Sequence, residues 1–187
     1  ATISTFEIDG TEHALTSSAP ADSAVVSLDV SRDGARLLLY LSTPLGPRLA
    51  VAGIIRDQKN VPTALGQLEY LPVASNAPID ATWVDARTVA TVSRGGEVAP
   101  VTLYEIGGPS ATFGQVPDAS TIVGGNGGAD GLRVLRTSGE VLRPQGSSWV
   151  TTGLSAREPA TRGLLLGRSG GLTVGGCRCV MPCSTRC

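Results

Sequence analysis

The chain has 187 residues, of which 41% are hydrophobic, and a formal net charge of −1 at pH 7. This near-neutral charge gives no electrostatic attraction to nucleic acid or to an anionic membrane surface. Aromatic residues make up only 4% of the chain, which is too few for stacking platforms that bind bases or sugars. The 24 glycines and 12 prolines, without a collagen-like period, indicate many short strands joined by turns.

Two strands are predicted at the start of the chain. Residues 1–8 alternate between apolar and polar side chains, as a half-buried strand does, and Asp9-Gly10 then favours a turn. Residues 13–16 are predicted to form a second short strand.

The first clear repeat contains strands predicted near residues 25–30, 35–42 and 48–56, joined by turns at Ser31–Gly34 and Thr43–Pro47. Its middle strand is apolar on both faces over Leu37–Leu41, so both faces must be covered by protein. An antiparallel meander with a doubly buried inner strand is typical of a β-propeller blade. Residues 67–71 are predicted to add an outer strand after a loop over residues 57–66.

Two further repeats follow this blade. Strands are predicted over residues 79–84, 87–93 and 98–106, and then over residues 120–125, 131–137, 140–145 and 147–153. The repeats open at Val25, Ile79 and Ser120, and WD-type blades recur about every 40–45 residues. A closed propeller needs about 4–8 blades. We therefore predict an all-β partial propeller of about three antiparallel blades plus a strand or two of a preceding blade, with residues 1–163 as the C-terminal part of the propeller domain.

Nucleophilic catalysis by a Ser-His-Asp arrangement would have to use His13, the only histidine. No G-x-S-x-G elbow accompanies any serine, and we interpret His13 as a half-exposed strand residue. Gly124–Gly131 matches neither a phosphate-binding loop nor an EF-hand loop and is predicted to be a flexible hairpin connection. Ser31–Gly34 is interpreted as a structural turn.

Carboxylates could pair for glycosidic hydrolysis, but most of the candidates lie at predicted turns. Aspartate at a turn usually accepts a hydrogen bond from its own backbone, so a structural role is favoured for this set. Its members are Asp29, Asp33, Asp57, Asp80, Asp85, Asp118 and Asp130.

The last 24 residues contain all four cysteines: Cys177, Cys179, Cys183 and Cys187. Four thiols this close could bind Zn²⁺ or form disulfides, but the C-x-C-x₃-C-x₃-C spacing is not that of paired zinc knuckles. Residues 164–187 are therefore predicted to be a disordered or non-native tail with no metal site.

Three segments resemble the β-propeller domain of LpqB-type actinobacterial lipoproteins. They are SLDVSRDGARLLLYL followed by RLAVAGIIRD, the strand Ala81–Val84, and the closing pattern LRTSGEVLRPQGSSWVTTGLSAREPATRG. The resemblance covers roughly residues 1–163. In that family an N-terminal lipid-anchored region and a GerMN-type domain precede the propeller, so this chain is expected to be part of a longer protein.

The resemblance implies a non-enzymatic accessory lipoprotein on the extracytoplasmic face of the cell membrane. Its implied role is to bind and modulate the extracytoplasmic region of a two-component sensor kinase of the MtrA–MtrB type. It carries over no catalytic residue, metal or cofactor, and it leaves the binding residues unassigned. Two alternatives stay open: a propeller hydrolase or peptidase-associated propeller, which needs a carboxylate pair or a metal near the central channel, and a periplasmic ligand sensor, which the scarcity of aromatic residues disfavours.

Overall fold

The computed structural model describes residues 3–6, 9–73, 78–155, 164–166 and 172–174. It contains three antiparallel blades preceded by a hairpin. The hairpin comprises β1 (Ile3–Phe6) and β2 (Glu12–Leu15). Blade 1 comprises β3 (Ala24–Val30), β4 (Arg36–Thr43), β5 (Gly46–Arg56) and β6 (Pro62–Leu65), with the short β7 (Glu69–Tyr70) also paired to β5. Blade 2 comprises β8 (Pro78–Trp83), β9 (Thr88–Ser93), β10 (Val98–Glu105) and β11 (Ser110–Pro117). Blade 3 comprises β12 (Ala119–Val123), β13 (Arg133–Arg136), β14 (Glu140–Gln145) and β15 (Ser148–Ser155).

The partial propeller predicted from the sequence is confirmed, and β4 shows why. Leu37, Leu38, Leu39 and Leu41 are all buried, so this strand is covered on both faces as its composition requires. Pro44 and Leu45 form a two-residue connection between β4 and β5, which pair in an uninterrupted antiparallel register, and Gly46 at the start of β5 has a φ of 101°.

Apolar side chains form three separate layers between successive units. The first layer lies between the hairpin and blade 1 and includes Ile3, Leu15 and Leu39. The second lies between blades 1 and 2, and the third lies between blades 2 and 3. Each sheet is thus packed against its neighbours along the chain, which is the layering expected of propeller blades.

Each blade begins with a strand that carries a bulge near its start. The register shifts between Val25 and Ser27 in β3, between Pro78 and Asp80 in β8, and between Ala119 and Thr121 in β12. A bulge adds one residue, bends the strand and increases its twist. Because the bulge recurs at the same place, equivalent positions in the three first strands can be counted from it.

Three outer strands differ from the prediction. The region predicted as a loop over residues 57–66 contains β6, and the outer strand predicted over residues 67–71 is reduced to the two residues of β7. A further strand, β11, completes blade 2 and is absent from the predicted strands. All three are edge strands with few large apolar side chains, so the alternation that reveals a half-buried strand is weak in them.

The connection over Gly124–Gly131 is not wholly irregular, because a 3-10 turn occupies Gly128–Gly131. Beyond blade 3, β16 (Leu164–Leu166) and β17 (Leu172–Val174) pair as an antiparallel hairpin. The rest of the predicted tail, with its four cysteines, lies outside the described residues. Within the part of the chain that the structure covers, no helix is long and apolar enough to cross a membrane.

Candidate functional site

The first strands β3, β8 and β12 lie side by side and line a cavity of about 360 Å³ on the channel side of the blades. Two levels of equivalent residues can be counted from the bulges. Ser27, Asp80 and Thr121 follow the bulges directly and form the first level. Two residues further along the same strand face, Asp29, Thr82 and Val123 form the second level. We call this set of residues the channel wall.

Asp29 links blade 1 to blade 2 within the channel wall. Its Oδ2 accepts hydrogen bonds from Thr82 Oγ1 at 2.9 Å and from the backbone N–H of Trp83 at 3.1 Å. In return, the indole Nε1 of Trp83 donates to the Asp29 carbonyl oxygen at 3.1 Å. Trp83 is buried in the second layer, so one residue joins the channel wall to the apolar packing behind it.

Asp80 links blade 2 to blade 3 in the same way. Its Oδ2 accepts hydrogen bonds from Thr121 Oγ1 and from the backbone N–H of Ile122, the latter at 3.0 Å. One level further along, Thr82 Oγ1 accepts a bond from the Gly124 N–H at 3.0 Å. In all three cases a side-chain oxygen of one blade accepts a hydrogen bond from a backbone N–H of the next blade. The donor is the residue that follows the position equivalent to the acceptor.

These bonds join strands that are not neighbours in any sheet, so we call them the inter-blade ladder. Bonds donated to an ionised carboxylate are among the stronger ones in proteins. Leaving a buried donor without its acceptor costs more than the bond itself contributes. The arrangement suits a structural role because Asp29 and Asp80 both already accept bonds from the next blade.

Asp29→Ala is expected to lower the free energy of unfolding by about 2 kcal/mol, because it leaves the Thr82 hydroxyl and the Trp83 amide without an acceptor. Asp29→Asn keeps one acceptor oxygen and is expected to cost less than half as much. Urea unfolding followed by tryptophan fluorescence measures both. Equal stability of the alanine variant and the wild-type chain would show that the ladder contributes nothing.

Asp80 makes the ladder sensitive to pH. Burial raises the pKa of its carboxyl above the ordinary value of 3.8, against the lowering effect of the bonds from Thr121 and Ile122, and the negative charge of Asp29 adds to the rise. The Asp80 carboxyl therefore binds a proton more readily in the folded state than in the unfolded state. Its contribution to stability is fully present below pH 3.8 and is lost as the pH rises through the raised value.

This sign gives a specific expectation for Asp80→Asn, which does not titrate. The deficit in unfolding free energy of the variant relative to the wild-type chain should be larger at about pH 3 than at about pH 7. Denaturant titrations across this range measure it. A deficit that stays constant, or that grows as the pH rises, would contradict the raised pKa of Asp80.

The structure places some of the candidate aspartates at turns and others on strands. Asp33, Asp57 and Asp85 do accept bonds from backbone amides of their own turns, as predicted. Asp29 and Asp80 do not lie at turns but on strands, where they face the next blade. Their position inside mainly apolar first strands, with Thr82 two residues beyond Asp80, is the signal that could have identified them.

The remaining candidates lie apart from the channel wall. His13 is a half-buried residue of β2, opposite Thr5 in the hairpin, as its interpretation as a strand residue requires. Asp118 lies between β11 and β12 and pairs with Arg136, and Asp130 lies in the 3-10 turn. Among the described residues, no group of three or more His, Cys, Asp or Glu side chains is placed to hold a metal ion.

The chain is similar to a known protein family. The family model described as the lipoprotein LpqB beta-propeller domain matches residues 4–161, which include all but the first residue of the hairpin and all three blades. No curated protein matches the chain.

Proposed function

The chain belongs to the family of LpqB β-propeller domains, and from this we propose that it is the interaction module of an accessory lipoprotein that binds the extracytoplasmic region of a two-component sensor kinase. In this proposal the kinase is of the MtrA–MtrB type, and binding modulates its activity. The full-length protein is held at the extracytoplasmic face of the membrane by a lipid anchor.

The observation that carries the proposal is the use of the channel carboxylates. A propeller hydrolase needs a carboxylate pair that faces its substrate. Here Oδ2 of Asp29 and Oδ2 of Asp80 each accept two bonds from the following blade. These contacts commit both side chains to holding the blades together, which favours a scaffold whose function lies in its surface loops.

Binding of the full-length protein to the purified extracytoplasmic domain of the kinase tests the proposal. Biolayer interferometry with the kinase domain immobilised should give saturable binding with a micromolar or tighter Kd. Failure of the folded protein to bind at micromolar concentrations would contradict the proposed partner.

Asp29→Asn and Asp80→Asn serve as matched variants that distinguish the two classes of function. In an interaction module the variants should bind the kinase domain as the wild-type protein does, provided that circular dichroism shows them to be folded. In a hydrolase, removal of either carboxylate would abolish turnover. Hydrolysis by the wild-type protein that both variants lose would therefore overturn the non-enzymatic assignment.

A further inference from the structure

The tip of the β4–β5 hairpin presents an apolar side chain to solvent, on a backbone turn that local hydrogen bonds hold in place. Leu45 is 84% exposed, the largest exposure among the large hydrophobic residues that the structure describes. Thr43 Oγ1 accepts a bond from the Leu45 N–H at 3.2 Å and donates to the Gly46 carbonyl at 2.7 Å. The tip is therefore held in place before any partner arrives, which lowers the entropic cost of binding.

Leu45 is part of a patch rather than an isolated residue. It lines a groove of about 500 Å³ together with Pro20, Pro44 and Tyr70, and Tyr70 is itself 42% exposed. The loop that carries Pro20 is also fixed, because the Ser23 hydroxyl and amide both donate to the Pro20 carbonyl. We call these four apolar residues the hairpin patch. Rigid proline and tyrosine surfaces of this kind lose little conformational freedom in a contact.

Two opposite charges line the same groove, one from Arg48 and one from Asp22. Both side chains are exposed. Throughout the described ranges neither has an ion-pair partner or a side-chain hydrogen bond. The groove therefore combines an apolar centre with one unpaired cation and one unpaired anion.

We propose that the hairpin patch is a homodimer contact that binds a second copy of this chain. In a twofold contact the same surface meets itself, so every charge on one copy must find its complement on the same surface of the other. Arg48 of each copy then faces Asp22 of its partner, and the two apolar centres meet between these pairs. A partner surface that carries charges of one sign only would pair with Arg48 or with Asp22, but not with both.

The expected contact is weak. Stable interfaces bury about 800 Å² on each partner, and a patch of four apolar residues is smaller than that. Exposed ion pairs add little individually and are screened by salt. We therefore expect a dimer with a micromolar Kd that weakens as the ionic strength rises.

Sedimentation equilibrium of the full chain, with a reducing agent to prevent disulfides through the cysteines, tests this proposal. Dimer should form at concentrations up to about 100 µM.

Arg48→Glu and Asp22→Arg should each raise the Kd by about tenfold, since each creates two like-charge contacts. The double variant, with the charges exchanged, should restore the wild-type Kd. Leu45→Asp should leave only monomer. Arg143 is an exposed cation of blade 3, and Arg143→Glu should leave the Kd unchanged.

Two outcomes would overturn the proposal. One is a wild-type chain that stays monomeric over this range. The other is a dimer that neither Leu45→Asp nor the single charge reversals weaken, which would place the contact elsewhere, for example on the exposed apolar residues of β3. Because no kinase domain is present in this measurement, its result is independent of whether the proposed kinase interaction exists.

Discussion

Gly124→Ala should be among the most destabilising single-methyl substitutions in this protein, with a loss of about 3 kcal/mol or more in the free energy of unfolding. A Cβ atom at this position would lie 2.0 Å from the carbonyl oxygen of Trp83. That oxygen belongs to the backbone of β8, so it cannot rotate away as a side chain would. The first strands of blades 2 and 3 would have to separate, and the bond from the Gly124 N–H to Thr82 would be lost with them.

Gly53→Ala is the matched control for this substitution. Gly53 lies on β5, its backbone is outside the left-handed region, and nothing lies within 4 Å of the Cβ that alanine would add. It should change the unfolding free energy by no more than about 0.5 kcal/mol. Equal stability of the two variants in urea unfolding would mean that β8 and β12 do not approach as closely as the structure places them.

Leu39→Ala should lower the free energy of unfolding by about 3 kcal/mol. Leu39 is 0% exposed and lies in the first layer, between the hairpin and blade 1. Removing its branched end loses the transfer free energy of the buried atoms and leaves a cavity that the surrounding strands can only partly fill. Loss of this contact should also loosen the hairpin, because Ile3 and Leu15 pack into the same layer.

Leu28 provides a control within the same strand pair. It lies directly opposite Leu39 in the β3–β4 register, but it is 52% exposed. Leu28→Ala should therefore cost less than about 1 kcal/mol. If both substitutions cost the same amount, burial would not be what makes Leu39 important, and the layer assignment would be wrong.

The inner strands were predictable because their signals are local. The double-sided run Leu37–Leu41, the turn residues around Asp33 and Asp85, and the spacing of the repeats all depend on residues close together in the chain. The outer strands depend instead on contacts with residues far away in the chain. In β11, Gly114 leaves room for Trp149, whose Nε1 would lie 2.6 Å from an added Cβ. A glycine that weakens the strand signal in the sequence is thus required by a contact with another blade.

The channel wall could not be predicted from the sequence, for a related reason. The hydroxyl that bonds to Asp29 comes from a residue 53 positions away, and the one that bonds to Asp80 comes from a residue 41 positions away. Within one blade, each aspartate has only a nearby turn to explain it, so the turn interpretation was the natural one. Only the stacking of consecutive blades shows that these carboxylates face the next strand.

The three separate apolar layers also determine the order in which parts of the protein unfold. A core divided between neighbours behaves as a one-dimensional array, in which a terminal unit can open while the others stay folded. Among the three blades that the structure describes, blade 2 has on each face an apolar layer formed with a complete neighbouring blade. Amide hydrogens of β9 should therefore exchange with solvent most slowly, and those of the β1–β2 hairpin should exchange long before them.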